Sequence, residues 1–170
     1  SWLPLSAVML AVVYMAIAAL GPVTNFDSGL YHLGAISYAA EYPTIPGLAN
    51  IYFPFGYSNA EFPLAALMGS GPWGDDGFRL LNGLIMFALG ADFVIRLRAA
   101  KRSAGTYVIG LGILVAFVPM IALSDYWVTS PSQDSAVLFL TVAASAYLTD
   151  LVFRARDRLS NAVTVFALAV

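Results

Sequence analysis

Residues 1–26 read SWLPLSAVMLAVVYMAIAALGPVTNF and carry no charge, since the first charged residue of the chain is Asp27. At about 1.5 Å of rise per residue, an apolar helix of this length crosses the roughly 30 Å hydrocarbon core of a bilayer. The stretch therefore predicts a membrane span at about residues 2–21. A cleaved signal peptide is the alternative, but the apolar run exceeds the roughly 7–15 residues typical of one and lacks a basic start.

The rest of the chain repeats this pattern. Its composition is 60% hydrophobic and 11% charged, with a mean hydropathy of +0.80, whereas soluble domains carry about 25% charged residues. Further apolar runs predict spans at about 79–98, 104–124 and 134–153, and a fifth run from about 161 is cut off at 170. The predicted fold is an all-α, polytopic transmembrane helical protein with four complete spans. We expect missing C-terminal spans of the same protein to follow, and membrane lipids to surround them all.

Charge and cysteine content exclude several functions. The formal net charge is −2, so the chain has no basic surface with which to bind nucleic acid. The absence of cysteine excludes disulfide scaffolds, thiolate metal sites and cysteine nucleophiles.

The basic residues orient the predicted spans. Seven of the eight follow the second and fourth spans: Arg96, Arg98, Lys101, Arg102, Arg154, Arg156 and Arg158. Because Lys and Arg are retained on the cytoplasmic side, the loops 22–78 and 124–134 are expected outside. Asp92 and Asp150 each precede an arginine by four residues, which favours ion pairing over the alternative of an ion path.

The outer loop 22–78 is rich in aromatic residues, which favour the membrane interface. Its pattern predicts interfacial helices at about 28–41 and 60–69, the first with Asp27 as N-cap and an aromatic stripe through Tyr31, Tyr38 and Tyr42. Residues 52–57, YFPFGY, either pack against neighbouring spans or form a platform that faces lipid or sugar.

The shorter outer loop ends in a helix-start signal. Ser130, Pro131 and Gln133 match a capping box, and Asp134 in the first turn suits the helix dipole. Asp134 is therefore either part of a helix start or part of a functional site.

The outer side offers one arginine (Arg79), one histidine (His32), no lysine and seven carboxylates: Asp27, Glu41, Glu61, Asp75, Asp76, Asp125 and Asp134. Among these residue types, carboxylates are the most numerous, so the chemistry that we expect uses an aspartate as general base or as ligand of a divalent cation. Asp27 is the best placed, because the second outer loop can bring Asp125 or Asp134 beside it. A helix cap is the simpler role for Asp27, and Arg79 has the alternative of pairing with Asp75 or Asp76.

The arrangement resembles the GT-C superfamily of polytopic glycosyltransferases. The segments Asp27–His32 (DSGLYH), Glu41–Pro43 (EYP), Pro46–Asn50 (PGLAN) and Ser130–Asp134 (SPSQD) are similar to those of an uncharacterised group of bacterial multi-pass membrane proteins with GT-C-like architecture. Many GT-C enzymes show two adjacent acids near the start of the first loop, whereas here Ser28 follows Asp27.

The resemblance implies a glycosyltransferase of the bacterial inner membrane that moves a sugar from a polyprenyl-phosphate donor to an acceptor on the periplasmic or extracellular side. Asp27 would be the catalytic carboxylate and Asp125 or Asp134 the second acid. A divalent cation, Mg²⁺ or Mn²⁺, at Asp27 and Asp134 would balance the leaving phosphate, unless basic residues of the missing C-terminal part do so. The implied substrate-binding residues are Tyr31, His32, Glu41, Asn50, Tyr57 and Arg79.

A non-catalytic membrane protein is the competing expectation, either a lipid-linked glycan translocase or a structural subunit that binds through the aromatic loop. Transport should depend on polar residues within the spans, whereas glycosyl transfer should depend on Asp27 and the second outer acid.

Overall fold

A computed structural model describes residues 3–57, 59–99, 102–117 and 126–153, and this part of the chain is helical without a β-strand. Four helices lie at the predicted spans: α1 (Leu3–Ala19), α5 (Leu81–Arg98), α6 (Ala104–Phe117) and α8 (Gln133–Phe153). The all-α prediction is thus confirmed for the described residues.

Two helices are long and apolar enough to cross a membrane, namely the continuous helical segment Asp76–Arg98 and α8. The apolar parts of α1 and α6, Met9–Ala19 and Ala104–Val115, are shorter. The described residues therefore support two spans and not the four complete spans predicted. The end of the predicted third span and the truncated fifth, 161–170, lie outside the described residues.

The first outer loop is built from short helices. A π-helical turn, Ser28–His32, continues into α2 (Leu33–Glu41), so one helical segment occupies 28–41. After α3 (Leu48–Ile51) and a 3₁₀ turn (Phe53–Gly56) comes α4 (Glu61–Gly69). A second 3₁₀ turn (Gly74–Leu80) leads into α5, and the short α7 (Tyr126–Thr129) precedes α8. The first loop packs on itself through Ile36, Phe62, Ala65 and Leu81.

Two groups of contacts show that the long helices alternate in direction. Where α1 ends and α5 and α8 begin, Arg79 Nη1 donates to Gly21 O at 2.9 Å and Asn82 Nδ2 donates to Ser130 O at 2.8 Å. We call this the loop end. At the opposite, basic end, Arg96 of α5 pairs with Asp150 of α8. This alternation is the arrangement that the basic residues predict.

Close packing of α6 on α8 depends on glycine. A Cβ built on Gly105 would lie 2.4 Å from Ala146 O, and one built on Gly112 would lie 2.3 Å from a Val142 methyl carbon. Small residues let helix backbones approach closely in this way. The core beside this contact contains Met15, Met86, Ile109 and Phe139, so it joins all four long helices.

The acids at the basic end are neutralised by one arginine. Arg96 Nε donates to both Asp92 oxygens, at 3.1 and 3.0 Å, and its Nη1 donates to Asp150 Oδ2. Asp150 also accepts from Gly105 N at 2.9 Å and from Ser103 Oγ at 3.0 Å, at the start of α6. The expected pairing of Asp92 is confirmed. Asp150 pairs with Arg96, while its expected partner Arg154 lies outside the described residues.

Candidate functional site

The first outer helix begins at Asn25. Asn25 Oδ1 accepts from Asp27 N at 2.8 Å and from Ser28 N at 3.3 Å, and the Asn25 side chain is buried. Asp27 already has helical backbone angles and makes no capping hydrogen bond. The prediction that Asp27 is the N-cap is therefore wrong, because Asn25 binds the free amides. The Asp27 carboxylate is exposed at the loop end.

Ser28 joins the two outer loops inside the protein. Its Oγ lies 3.1 Å from His32 Nδ1, one helical turn along, and 2.8 Å from Ser130 Oγ of the second loop. All three side chains are buried. Each hydroxyl donates once, so the chain of hydrogen bonds runs toward or away from His32 according to the tautomer of the imidazole.

The second loop is held by Ser130 and Ser132 in different ways. Helix α8 begins at Gln133, and Asp134 N donates to Ser132 Oγ at 3.4 Å, so Ser132 is the residue that caps it. The predicted capping box on Ser130 is wrong by two residues, because the Ser130 hydroxyl binds Ser28 instead. Asn82 Nδ2 donates to both Ser130 O, at 2.8 Å, and Ser132 O, at 3.1 Å, and so fixes the loop against α5.

Asp27 and Asp134, from different loops, act on the same pair of side chains. Burial lowers the pKa of His32, and the negative charges of Asp27 and Asp134 oppose that shift. Burial raises the pKa of Tyr31, and the charges of Asp27 and Asp134 add to the rise, while a hydrogen bond with Gln133 opposes it. The Tyr31 and His32 rings stand 4.4 Å apart, edge to face. The two predicted acids thus both influence the pKa values of this aromatic pair.

Glu61, at the start of α4, is a third carboxyl group of this region. It is 8% exposed, and both of its oxygens are buried without a hydrogen-bond partner in the described part of the chain. Burial raises the pKa of Glu61 to about 8, with a further contribution from the charge of Asp134. Glu61 is therefore protonated and neutral at pH 7. We call Asp27, Tyr31, His32, Glu61 and Asp134 the acidic cluster.

Of the other predicted site residues, the structure brings only Tyr57 into contact with a described residue of this cluster. The Tyr57 ring contacts the Tyr31 ring at a centroid distance of 5.7 Å. Glu41 and Arg79 line a separate cavity of about 640 Å³ between α2 and α4, where Arg79 Nε pairs with Asp76 at 2.9 Å, the pairing expected as its alternative role. Asn50 is exposed on α3. Asp125 lies outside the described residues.

The described residues contain no group of three or more His, Asp or Glu side chains placed to hold a metal ion. A divalent cation bound by Asp27 and Asp134 would take its further ligands from elsewhere in the chain, from substrate or from water.

Sequence reasoning missed Asn25, Asn82 and Glu61. Asn25 precedes a helix and belongs to a residue type that caps helices, so its local signal was readable. Glu61 resembles an ordinary acid in a first helical turn, and nothing local indicates that tertiary packing buries it. Asn82 binds a loop about fifty residues away, a contact that no local pattern contains.

Comparison with known proteins gives one match. The family model described as "Domain of unknown function (DUF8201)" matches residues 2–170. No curated protein and no solved structure matches the chain.

Proposed function

The chain belongs to the DUF8201 family, and we propose that it is a membrane glycosyltransferase that moves a sugar from a polyprenyl-phosphate donor to an acceptor hydroxyl. In this proposal the protein lies in the bacterial inner membrane through its long apolar helices, of which Asp76–Arg98 and α8 have the length and composition of spans. The loop end faces the periplasm or the cell exterior. The fold follows the GT-C plan, with the acidic cluster as the reaction site.

The buried Ser28–Ser130 hydrogen bond, which joins the loop segments next to Asp27 and Asp134, is the observation that supports this proposal most. The two acids are far apart in sequence and come from separate loops, yet their charges act on the same two side chains. Buried hydrogen bonds from Ser28 and Asn82 fix both loops at this point. A site held by rigid supporting contacts, with exposed acids at its surface, suits catalysis better than a surface patch does.

The proposed reaction needs one base and one leaving group. Asp27 accepts the proton of the acceptor hydroxyl, whose oxygen attacks the anomeric carbon of the donor sugar. The bond from that carbon to the phosphate oxygen breaks, and the polyprenyl phosphate leaves with the electron pair. Asp134 orients the acceptor. Burial lowers the pKa of His32, so the neutral imidazole supports the site from inside the protein through its hydrogen bond with Ser28.

The basic end favours transfer over transport. Arg96 pairs with both Asp92 and Asp150, so neither acid is a free carboxylate along a path through the helices. A translocase with a polar path would retain such a group among its spans.

The test is sugar transfer by the full-length protein in membranes supplied with polyprenyl-phosphate sugars. Wild type is compared with Asp27→Asn and with Asp92→Asn at matched expression. We expect Asp27→Asn to lose at least a hundredfold in rate, the usual contribution of a general base, and Asp92→Asn to keep wild-type activity. Full activity of Asp27→Asn would contradict the assignment of Asp27 as the general base. If the wild type transferred no sugar from any donor, a translocase or a binding subunit would be favoured.

A further inference from the structure

A cleft of about 520 Å³ lies beside the acidic cluster, between α2, α3, the Phe53–Gly56 turn and the start of α4. Its volume falls within the roughly 300–1,000 Å³ of small-molecule sites. The lining residues used below are Tyr38, Tyr42, Thr44, Phe55, Tyr57 and Asn59. We call it the tyrosine cleft.

The tyrosine cleft combines aromatic surface with free polar groups. Tyr38, Tyr42 and Tyr57 are 37%, 53% and 46% exposed, and within the described part of the chain no hydrogen bond engages their hydroxyls. Asn59 Oδ1 accepts from Phe62 N at 3.0 Å, while Asn59 Nδ2 is buried and has no acceptor among the described residues. A buried amide donor without a partner costs free energy unless a ligand or water binds it.

Among the residues that the structure describes, no charged side chain lines the tyrosine cleft. A phosphate or a carboxylate would find no counter-charge there, so the ligand is neutral. An isoprenoid chain would leave the tyrosine hydroxyls and Asn59 Nδ2 buried without partners. A sugar ring has apolar faces that pack on aromatic rings and hydroxyls that bond to phenol and amide groups, so it matches both parts of the lining.

The tyrosine cleft adjoins the acidic cluster at one residue. Tyr57 lines it and also packs edge to face on Tyr31 of the acidic cluster. The turn that carries Phe55 is seated on α2, because the Phe55 and Tyr38 rings lie 5.2 Å apart and Gly34 leaves room for Phe55. The cleft and the acidic cluster are therefore neighbours, and a fixed aromatic wall lies between them.

We propose that the tyrosine cleft binds a neutral carbohydrate, and that this carbohydrate is the acceptor of sugar transfer. The second part rests on the proposed function, and the first does not. The cleft holds the acceptor by its uncharged rings, with the reacting hydroxyl directed past Tyr57. The charged donor phosphate binds elsewhere, outside the cleft.

Binding is measured by saturation-transfer NMR on the full chain in phospholipid nanodiscs free of glycoside detergents. The probes are neutral gluco-, galacto- and manno-configured disaccharides, a matched disaccharide with a uronic acid carboxylate, and farnesol as an isoprenoid. Tyr42→Ala removes one aromatic wall. Asn59→Asp keeps the oxygen that caps α4 but removes the free donor. Tyr107→Ala, on the exposed face of α6 away from the cleft, is the matched control.

We expect at least one neutral disaccharide to bind, and both cleft variants to weaken its affinity about tenfold, the effect of one lost interaction of about 1.4 kcal/mol, with no change in Tyr107→Ala. Binding of farnesol alone, preference for the uronic acid, or no neutral sugar bound at about 10 mM would overturn the cleft assignment. Binding of a neutral sugar without any sugar transfer would support the carbohydrate site and contradict the proposed transferase function. Sugar transfer with an unchanged acceptor KM in both cleft variants would support the transferase function and contradict the cleft as the acceptor site.

Discussion

Ser28 Oγ lies 2.8 Å from Ser130 Oγ, and this buried hydrogen bond joins the two outer loops across 102 residues of sequence. Asp27 precedes Ser28, and Asp134 follows Ser130 by four residues. The bond therefore fixes the relative position of the two acids, although neither acid takes part in it. Asn82 Nδ2 also donates a hydrogen bond to the Ser130 carbonyl oxygen and so holds the second loop against α5.

Removal of this bond should destabilise the protein. Ser28→Ala leaves the Ser130 hydroxyl and His32 without their buried partner, which costs about 1–3 kcal/mol of unfolding free energy. Unfolding by SDS titration in mixed micelles measures the loss. Ser37→Ala, at an exposed position of α2, should stay within about 0.5 kcal/mol of wild type. If Ser28→Ala and Ser130→Ala were simply additive in the double variant, the two hydroxyls would not interact.

Glu61 should make stability fall as pH rises. Because its pKa is about 8 in the folded protein against an ordinary value of 4.5, the folded state holds its proton more tightly than the unfolded state does. This contribution is complete below about pH 4.5, is lost progressively as pH rises toward 8, and amounts to a few kcal/mol.

Glu61→Gln should abolish that loss, because the amide does not ionise. Unfolding free energy is compared at pH 7 and 8, a window above the ordinary pKa of 6.5 of His32, whose own shift is downward. Equal slopes in wild type and Glu61→Gln would show that Glu61 is already ionised in the folded protein.

The arginine at the basic end should be structurally essential. Arg96→Gln leaves Asp92 and Asp150 without their shared cation, and removal of one partner of a buried pair costs about 3–5 kcal/mol. Arg98→Gln is the matched control, since Arg98 is an exposed arginine of the same helix and should change unfolding by at most about 0.5 kcal/mol. Equal effects of the two substitutions would contradict the ion-pair network.

Contact between α6 and α8 should not tolerate an added methyl group. Gly105→Ala places a carbon 2.4 Å from Ala146 O and forces the helices apart, with an expected cost of about 1–3 kcal/mol. Gly90→Ala has open space around the new carbon and should be neutral or stabilising by up to about 1 kcal/mol. Thermal unfolding of the two variants is measured side by side. Gly90→Ala reports the effect of replacing a helical glycine alone, and Gly105→Ala adds the effect of the steric clash.

The sequence predicts the helical class and the places of the long helices, because apolar runs of about 20 residues between charged segments have few other readings. It also predicts that Asp92 meets Arg96, since a spacing of four residues is a local property of a helix. The helix caps were predicted less well. Asp27 and Ser130 belong to good capping types, yet Asn25 and Ser132 bind the amides, because the helices start at positions that packing between the loops selects.

The candidate site could be predicted only in part. Asp27 and Asp134 were identified because they flank apolar runs, and their shared neighbours depend on how the loops fold. Glu61 could not be identified, since its burial results from tertiary packing that no local pattern contains. Arg79 binds Gly21 O across 58 residues of sequence, a tertiary contact that no residue spacing indicates.

The most direct test of the central claim is a double-mutant cycle on Asp27 and Asp134, measured as kcat/KM for sugar transfer from a polyprenyl-phosphate donor by the full-length protein. If the two acids serve one reaction, each asparagine variant should lose at least about a hundredfold, and the double variant should be little worse than the weaker single one. Wild-type kcat/KM in Asp27→Asn, or losses that multiply in the double variant, would contradict a shared carboxylate site.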